Sequence, residues 1–153
     1  LGLLIAMVLA GKVHSITLFG HHPRRVSLPI AVEERALEPT TRREFEVVVE
    51  ATGSPQGLKA AFSIVRPLGT VVLKTTCAAP HQLSLAPVVI DEITVVGSRC
   101  GPIDKAIEKL ADDTVQPTVL VHDRFPLARA DEALRRAAEP GVLKVLIEGV
   151  HGR

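Results

Sequence analysis

Trp and Tyr are absent from the 153 residues and Phe occurs four times. Stacking of aromatic rings on bases or sugars is therefore not this chain's main mode of recognition. A surplus of charge is missing too. Eighteen Lys and Arg against seventeen Asp and Glu leave a formal net charge of +1, which gives no electrostatic basis for nucleic acid or an anionic membrane as partner. Cysteine is scarce. Cys77 and Cys100 lie far apart, and one disulfide would add little to a chain that is 46% hydrophobic. Free thiols and a reducing, cytoplasmic setting are expected. The histidines and cysteines form no C-x-x-C, no H-x-x-x-H and no other ligand spacing, so zinc within this chain is not expected. There is no G-x-S-x-G and no Ser/His/Asp arrangement. Long apolar runs are lacking as well. LGLLIAMVLAG is apolar over about ten residues against the ~20 of a membrane span, and it has no basic flank and no initiator Met. It reads as a buried helix, and a chain that opens inside an element is expected to be a fragment. No repeat and no low-complexity linker is present.

What is present is concentrated at 45–73, FEVVVEATGSPQGLKAAFSIVRPLGTVVL. An apolar run leads into a Gly-containing turn, an amphipathic stretch, a Pro-Leu-Gly stop and a second β-branched run. This is a strand–helix–strand unit whose strands are apolar enough to be buried on both faces. A buried parallel strand that ends in a small-residue turn is where α/β proteins place nucleotides.

The same alternation runs the length of the chain. Residues 3–10 read as a helix closed by Gly11, and 14–19 as a strand ended by Gly20. Residues 21–44, with Pro23, Pro29 and Pro39, read as one short helix and one loop. FEVVVEA (45–51) is a strand and TGSP its turn. The helix at 56–66 places Leu58, Ala61, Phe62 and Val65 at three- and four-residue steps and is stopped by Pro67-Leu68-Gly69. Strands follow at 69–74, 93–98, 118–125 and 142–148. Between them lie a loop with a short helical piece at 77–90, an amphipathic helix at 103–113 carrying Ile103, Ile107 and Leu110 on one side, and a helix at 127–141 with acidic residues at its start. Strands alternating with helices predict βαβ units in an α/β protein with a doubly wound, mostly parallel sheet.

VVVEATGSPQGLKAAFSIVRPLGTVVLKTT, EITVVGSRCGP and FPLARADEALRRAAEPGVLKVLIE, in that order, resemble the cofactor-binding half of zinc-type medium-chain alcohol dehydrogenases. The resemblance covers nearly the whole chain and implies a Rossmann domain. It also implies that a preceding catalytic domain, holding the family's zinc, lies outside these residues. If Leu1–Leu4 matches the start of the first Rossmann helix, Gly2 is the third glycine of the G-x-G-x-x-G fingerprint. The first, central strand and the other two glycines are then missing. The strands at 14–19 and 69–74 are expected to face each other with unpaired edges, and the chain alone is expected to fold poorly.

The resemblance further implies NAD or NADP as cofactor, a small alcohol or carbonyl substrate, and a homodimer through the strand near 118–122. A zinc-free quinone or enoyl reductase of the same superfamily is an alternative. So are a noncatalytic chain and another Rossmann-like activity such as a methyltransferase. Ala51, Thr52 and Gly53, with Ser54, follow a buried strand, either to let the backbone approach an adenosine or merely as a tight turn. Glu50 is either an acid or base or a strand-end carboxylate bonded to backbone. Lys74 and Thr75 end one strand, and Ser98, Arg99 and Cys100 the next. These ends match the positions whose backbone groups bind the nicotinamide carboxamide, and Arg99 fits a structural ion pair equally. Lys144 matches a basic contact to the pyrophosphate, or else a solvent-facing position on an edge strand.

In NAD-specific relatives an acidic residue ends the second strand and binds the ribose hydroxyls. Gly20 stands at the matching position, followed by His21, His22, Arg24 and Arg25. Losing the carboxylate removes repulsion toward a 2′-phosphate, and the cations that follow attract it. A solvated basic turn is the bland reading of the same residues. The expected outcome is a larger kcat/KM with NADP(H) than with NAD(H) in the complete enzyme; a tenfold preference for NAD(H) would end this reading.

Overall fold

The alternating helix-forming and β-branched stretches fold as alternating elements. The computed structural model describes residues 1–20, 27–38, 42–77, 80 and 82–149. In chain order these form α1 (Gly2–Leu9), β1 (Thr17–Phe19), β2 (Glu33–Arg35), β3 (Phe45–Glu50), α2 (Pro55–Ile64) and β4 (Val65–Leu73). Then come α3 (Ala86–Ile90), β5 (Thr94–Gly97), α4 (Ile103–Ala111), β6 (Val121–Pro126), α5 (Ala130–Ala137) and β7 (Lys144–Glu148). Short 3-10 turns precede β6 and α5, at Pro117–Leu120 and Leu127–Arg129.

Among the described residues every strand pairing is parallel, as the βαβ alternation requires, and the fold is α/β of Rossmann type. The described strands divide into three sheets, β1–β2, β3–β4–β5 and β6–β7. In the middle sheet Val47, Val48 and Val49 stand opposite Thr70, Val71 and Val72, which in turn face Thr94, Val95 and Val96. Helix α2 covers this sheet. Leu58, Ala61, Phe62 and Val65, at the steps read from the sequence, form one buried cluster with Val71 and Ile93. Truncating a buried Phe such as Phe62 typically costs about 3–5 kcal/mol. A second cluster joins the first helix to the last sheet: Met7 packs with Val115 and Leu120, just before β6. In the last unit Arg136 of α5 bonds Asp123 of β6 at 2.6 Å and also pairs with Glu139. Both carboxylates raise the Arg136 pKa, Asp123 most.

Four expectations from the sequence are corrected here. Residues 21–44 were expected to hold a short helix and a loop, but Glu33–Arg35 is a strand beside β1. Its three residues are all exposed, so it carries no apolar alternation to betray it. The Pro-Leu-Gly stop lies inside β4 instead of between two elements. The helix ends at Ile64, where Val65 turns extended with ψ 137°, and Arg66–Gly69 forms a bulge over which the register with β3 slips. Pro67, which has no N–H to give to a ladder, is tolerated at such a bulge. Gly69 is required, because a Cβ would lie 2.6 Å from Val65 Cγ2 and 2.8 Å from the Arg66 carbonyl oxygen. Third, residues 69–74 have no unpaired edge: strand β4 is central, with β3 and β5 on either side, so the edge of the middle sheet toward β1 belongs to β3. The edge-on contact of the Phe19 and Phe45 rings, 5.4 Å apart, links these two strands. Finally, the run at 118–125 begins as a 3-10 turn and becomes a strand only at Val121.

Helix α4 keeps the amphipathic pattern read from the sequence, but Ile103, Ile107 and Leu110 are 74%, 60% and 50% exposed. Among the described residues no helix is long and apolar enough to cross a membrane. Unpaired strand edges and uncovered apolar side chains favour association between copies. Residues 1–153 expressed alone are therefore expected to scatter light as oligomers or aggregates; a monomer with a cooperative melt above about 50 °C would contradict this.

Candidate functional site

The middle sheet brings three carboxyl ends together, and the sequence after each end is polar. Strand β3 finishes on Glu50, whose side chain is 3% exposed. Burying a carboxylate is costly unless donors reach it. Here Oε1 of Glu50 accepts the Thr52 backbone N–H and the Thr52 hydroxyl, both at 2.7 Å. Oγ1 of Thr52 in turn accepts the Ser54 N–H at 3.1 Å. Ser54 is the N-cap of α2, its Oγ accepting the Gly57 N–H at 3.3 Å, with Pro55 at the first helical position. Ser-Pro at a helix start is the arrangement that a capping oxygen and a fixed φ favour. Gly53 has φ +77°, a left-handed conformation that glycine adopts without penalty.

The turn after β3 is tied to the end of β4 through the Gly53 N–H, which donates to Thr75 Oγ1 at 3.1 Å. The end of β4 is tied to the end of β5 by Lys74, whose Nζ donates to Ser98 Oγ at 3.3 Å and also to the Arg99 carbonyl oxygen. Ala51, Thr52, Gly53, Lys74 and Ser98 therefore form one polar ledge along the strand tips. Cys77 and Cys100 are free thiols beyond the ends of β4 and β5, Cys77 half-buried and Cys100 exposed.

The other residues singled out in the sequence lie on other elements. Gly2 opens α1, and a Cβ there would meet nothing within 4 Å. Gly20 follows β1, whose Phe19 ring packs on Phe45 at the end of β3 opposite the turn. Lys144 opens β7, opposite Val121, and is exposed. His21, His22, Arg24 and Arg25 lie outside the described residues. Residues 118–122, where a dimer contact was expected, cover most of the 3-10 turn and the start of β6. Among the described residues no three His, Cys, Asp or Glu side chains converge as a metal site.

Gly57 was missed in the sequence. It is buried under the turn, and a Cβ would stand 2.0 Å from Thr52 Oγ1 and 2.5 Å from Glu50 Oε1. The available signal was the alternation Glu50-x-Thr52-x-Ser54 directly before a helix, which crowds three oxygens over the first turn. Gly57→Ala is expected to destabilise the protein by about 1–3 kcal/mol through overpacking. Gly97→Ala, whose Cβ would meet nothing within 4 Å, serves as the control. Denaturant melts of the two variants check this, and an equal effect would refute it.

Residues 25–115 match a family described as "Zinc-binding dehydrogenase". The chain is similar to mouse (Mus musculus) sorbitol dehydrogenase, 32% identical over 105 residues, which are 67% of this chain and 29% of that protein. In three dimensions it resembles a Sinorhizobium meliloti 1021 protein solved bound to NADP, with a TM-score of 0.80 at 20% identity, covering 95% of this chain and 48% of that one. It also resembles the short chain alcohol dehydrogenase of Escherichia coli CFT073 complexed with NADH, with a TM-score of 0.79 at 17% identity, covering 95% of this chain and 48% of that one. The chain thus spans under a third of the mouse enzyme and about half of each of the two solved chains.

Proposed function

The chain belongs to the family of zinc-binding dehydrogenases, and from that premise we propose that it holds the nicotinamide cofactor of an NAD(P)-dependent oxidoreductase. The reaction is hydride transfer between an alcohol or carbonyl carbon and the cofactor. The cofactor supplies the hydride chemistry when bound, and the protein supplies its binding and orientation. The observation that carries this reading is the ledge across β3, β4 and β5, where Gly53–Thr75 and Lys74–Ser98 tie the three tips together. Ligands of open parallel sheets sit outside the carboxyl ends of the strands. The ledge offers what a dinucleotide needs there: small residues for close approach, backbone and hydroxyl donors, and one ammonium group.

Ala51, Thr52 and Gly53 are assigned to the nucleotide side of the cofactor, and Lys74, Ser98 and Cys100 to the nicotinamide side. Gly20 with His21, His22, Arg24 and Arg25 is assigned to cofactor selection, with NADP(H) preferred. Gly2 and Lys144 are assigned to the phosphates. The family's zinc, and the residues that choose the substrate, are assigned to a catalytic domain outside these residues.

The test uses the longest natural polypeptide that contains these residues. Titrating it into NADPH or NADH should enhance nicotinamide fluorescence with saturation in the micromolar range, about −8 kcal/mol at 1 μM. Absence of binding to both cofactors up to millimolar concentration would rule the reading out.

A further inference from the structure

Glu50 is the buried charged side chain among the described residues, and hydride transfer has no evident use for it. Its location explains it. The carboxylate hangs from the last residue of β3, while the donors it binds belong to Thr52, after the chain has left the sheet. One oxygen, Oε1, takes both Thr52 protons, so it fixes the backbone and the side chain of the same residue. Thr52 then relays the constraint, because the Oγ1 that donates to Glu50 also accepts the Ser54 N–H. Gly53, between these two fixed residues, is left with its N–H aimed at Thr75 Oγ1 on the next strand. Bare backbone at Gly57 leaves room for the arrangement.

We propose that Glu50 is a positioning residue for the cofactor. Acting through Thr52, it holds the Thr52–Ser54 turn in the arrangement that receives the dinucleotide. This rests on the cofactor reading above. An oxygen committed to two short hydrogen bonds serves as an anchor rather than as the acid or base that the sequence left open.

The experiment compares four variants with the parent in the longest natural polypeptide containing these residues. Glu50→Gln keeps an acceptor oxygen. Glu50→Met keeps the volume and removes the acceptor, and Thr52→Val keeps the shape and removes the hydroxyl donor. The double variant Glu50→Met/Thr52→Val completes a cycle. The readouts are the Kd for NADPH and for NADH by nicotinamide fluorescence, and hydrogen exchange of the Thr52, Gly53 and Ser54 amides. Glu50→Gln is expected to bind within about threefold of the parent, and Glu50→Met and Thr52→Val to bind about tenfold or more weakly, as when a buried hydrogen-bonding group loses its partner. The double variant is expected to lose little beyond Glu50→Met, because both changes cut one link. Exchange at the three amides should quicken in the variants that bind weakly.

Unchanged affinity in Glu50→Met and Thr52→Val would overturn the proposal, even with faster exchange. So would a Glu50→Gln variant as weak as Glu50→Met, since the acceptor would then not be what matters. If Glu50→Met does not fold, Thr52→Val decides on both readouts together: weaker binding without faster exchange at Gly53 and Ser54 would mark a lost direct contact and overturn the proposal. A parent that binds neither cofactor overturns the cofactor reading and this inference with it, a pattern distinct from parent binding that the variants leave untouched.

Discussion

Because β4 hydrogen-bonds to β3 on one side and to β5 on the other, three strand ends are held about 4.8 Å apart, one ladder spacing at a time. Nothing on the ledge would be adjacent without that pairing. The Gly53–Thr75 bond crosses one spacing and the Lys74–Ser98 bond crosses the other. The pairing itself is fixed by burial. Val71 and Val65 of β4 are fully enclosed beneath α2, and a slip of one residue would turn Val71 away from Phe62. The apolar core thus sets the register, and the register sets the polar site.

The turn after β3 works in the opposite direction, with polar groups shaping backbone. Glu50, Thr52 and Ser54 satisfy one another and the first turn of α2 in sequence. The helix start is closed by its own preceding residues instead of by water. The left-handed Gly53 is the bend that this closure demands.

Legibility in the sequence followed the size of the physical signal. Strand β3 and helix α2 were readable because Val47–Val49 and the Leu58, Ala61, Phe62 spacing announce a strand and a one-sided helix, although burial on both faces was expected and Val47 stays 57% exposed. Strand β2 was not, because Glu33, Glu34 and Arg35 are exposed and a charged triplet has no period. The bulge in β4 was misread as a boundary because Pro and Gly punctuate turns and bulges alike. At the site, Thr52, Gly53, Lys74 and Ser98 followed from one rule about strand ends, and the structure does gather them. Gly57 escaped because its role is set by the Glu50 and Thr52 side chains folded over it, and the alternation of polar residues before the helix is only a faint mark of that crowding. Gly2, Gly20 and Lys144 came from resemblance alone, and the structure sets them on α1, after β1 and on β7.

Division of the strands into three sheets gives the molecule a graded resistance to opening. The β3–β4–β5 layer under α2 owns the larger buried cluster, whereas β1–β2 has three residue pairs and an exposed partner strand. Local unfolding follows such differences in buried contact. On that basis the pair β1–β2 is expected to fray first, the β6–α5–β7 unit to open at the Met7–Val115–Leu120 cluster, and the ledge to survive longest. Amide protons behind Val71 and Val72 should therefore outlast those of the other two sheets, so that a partly opened molecule still presents an intact row of strand tips.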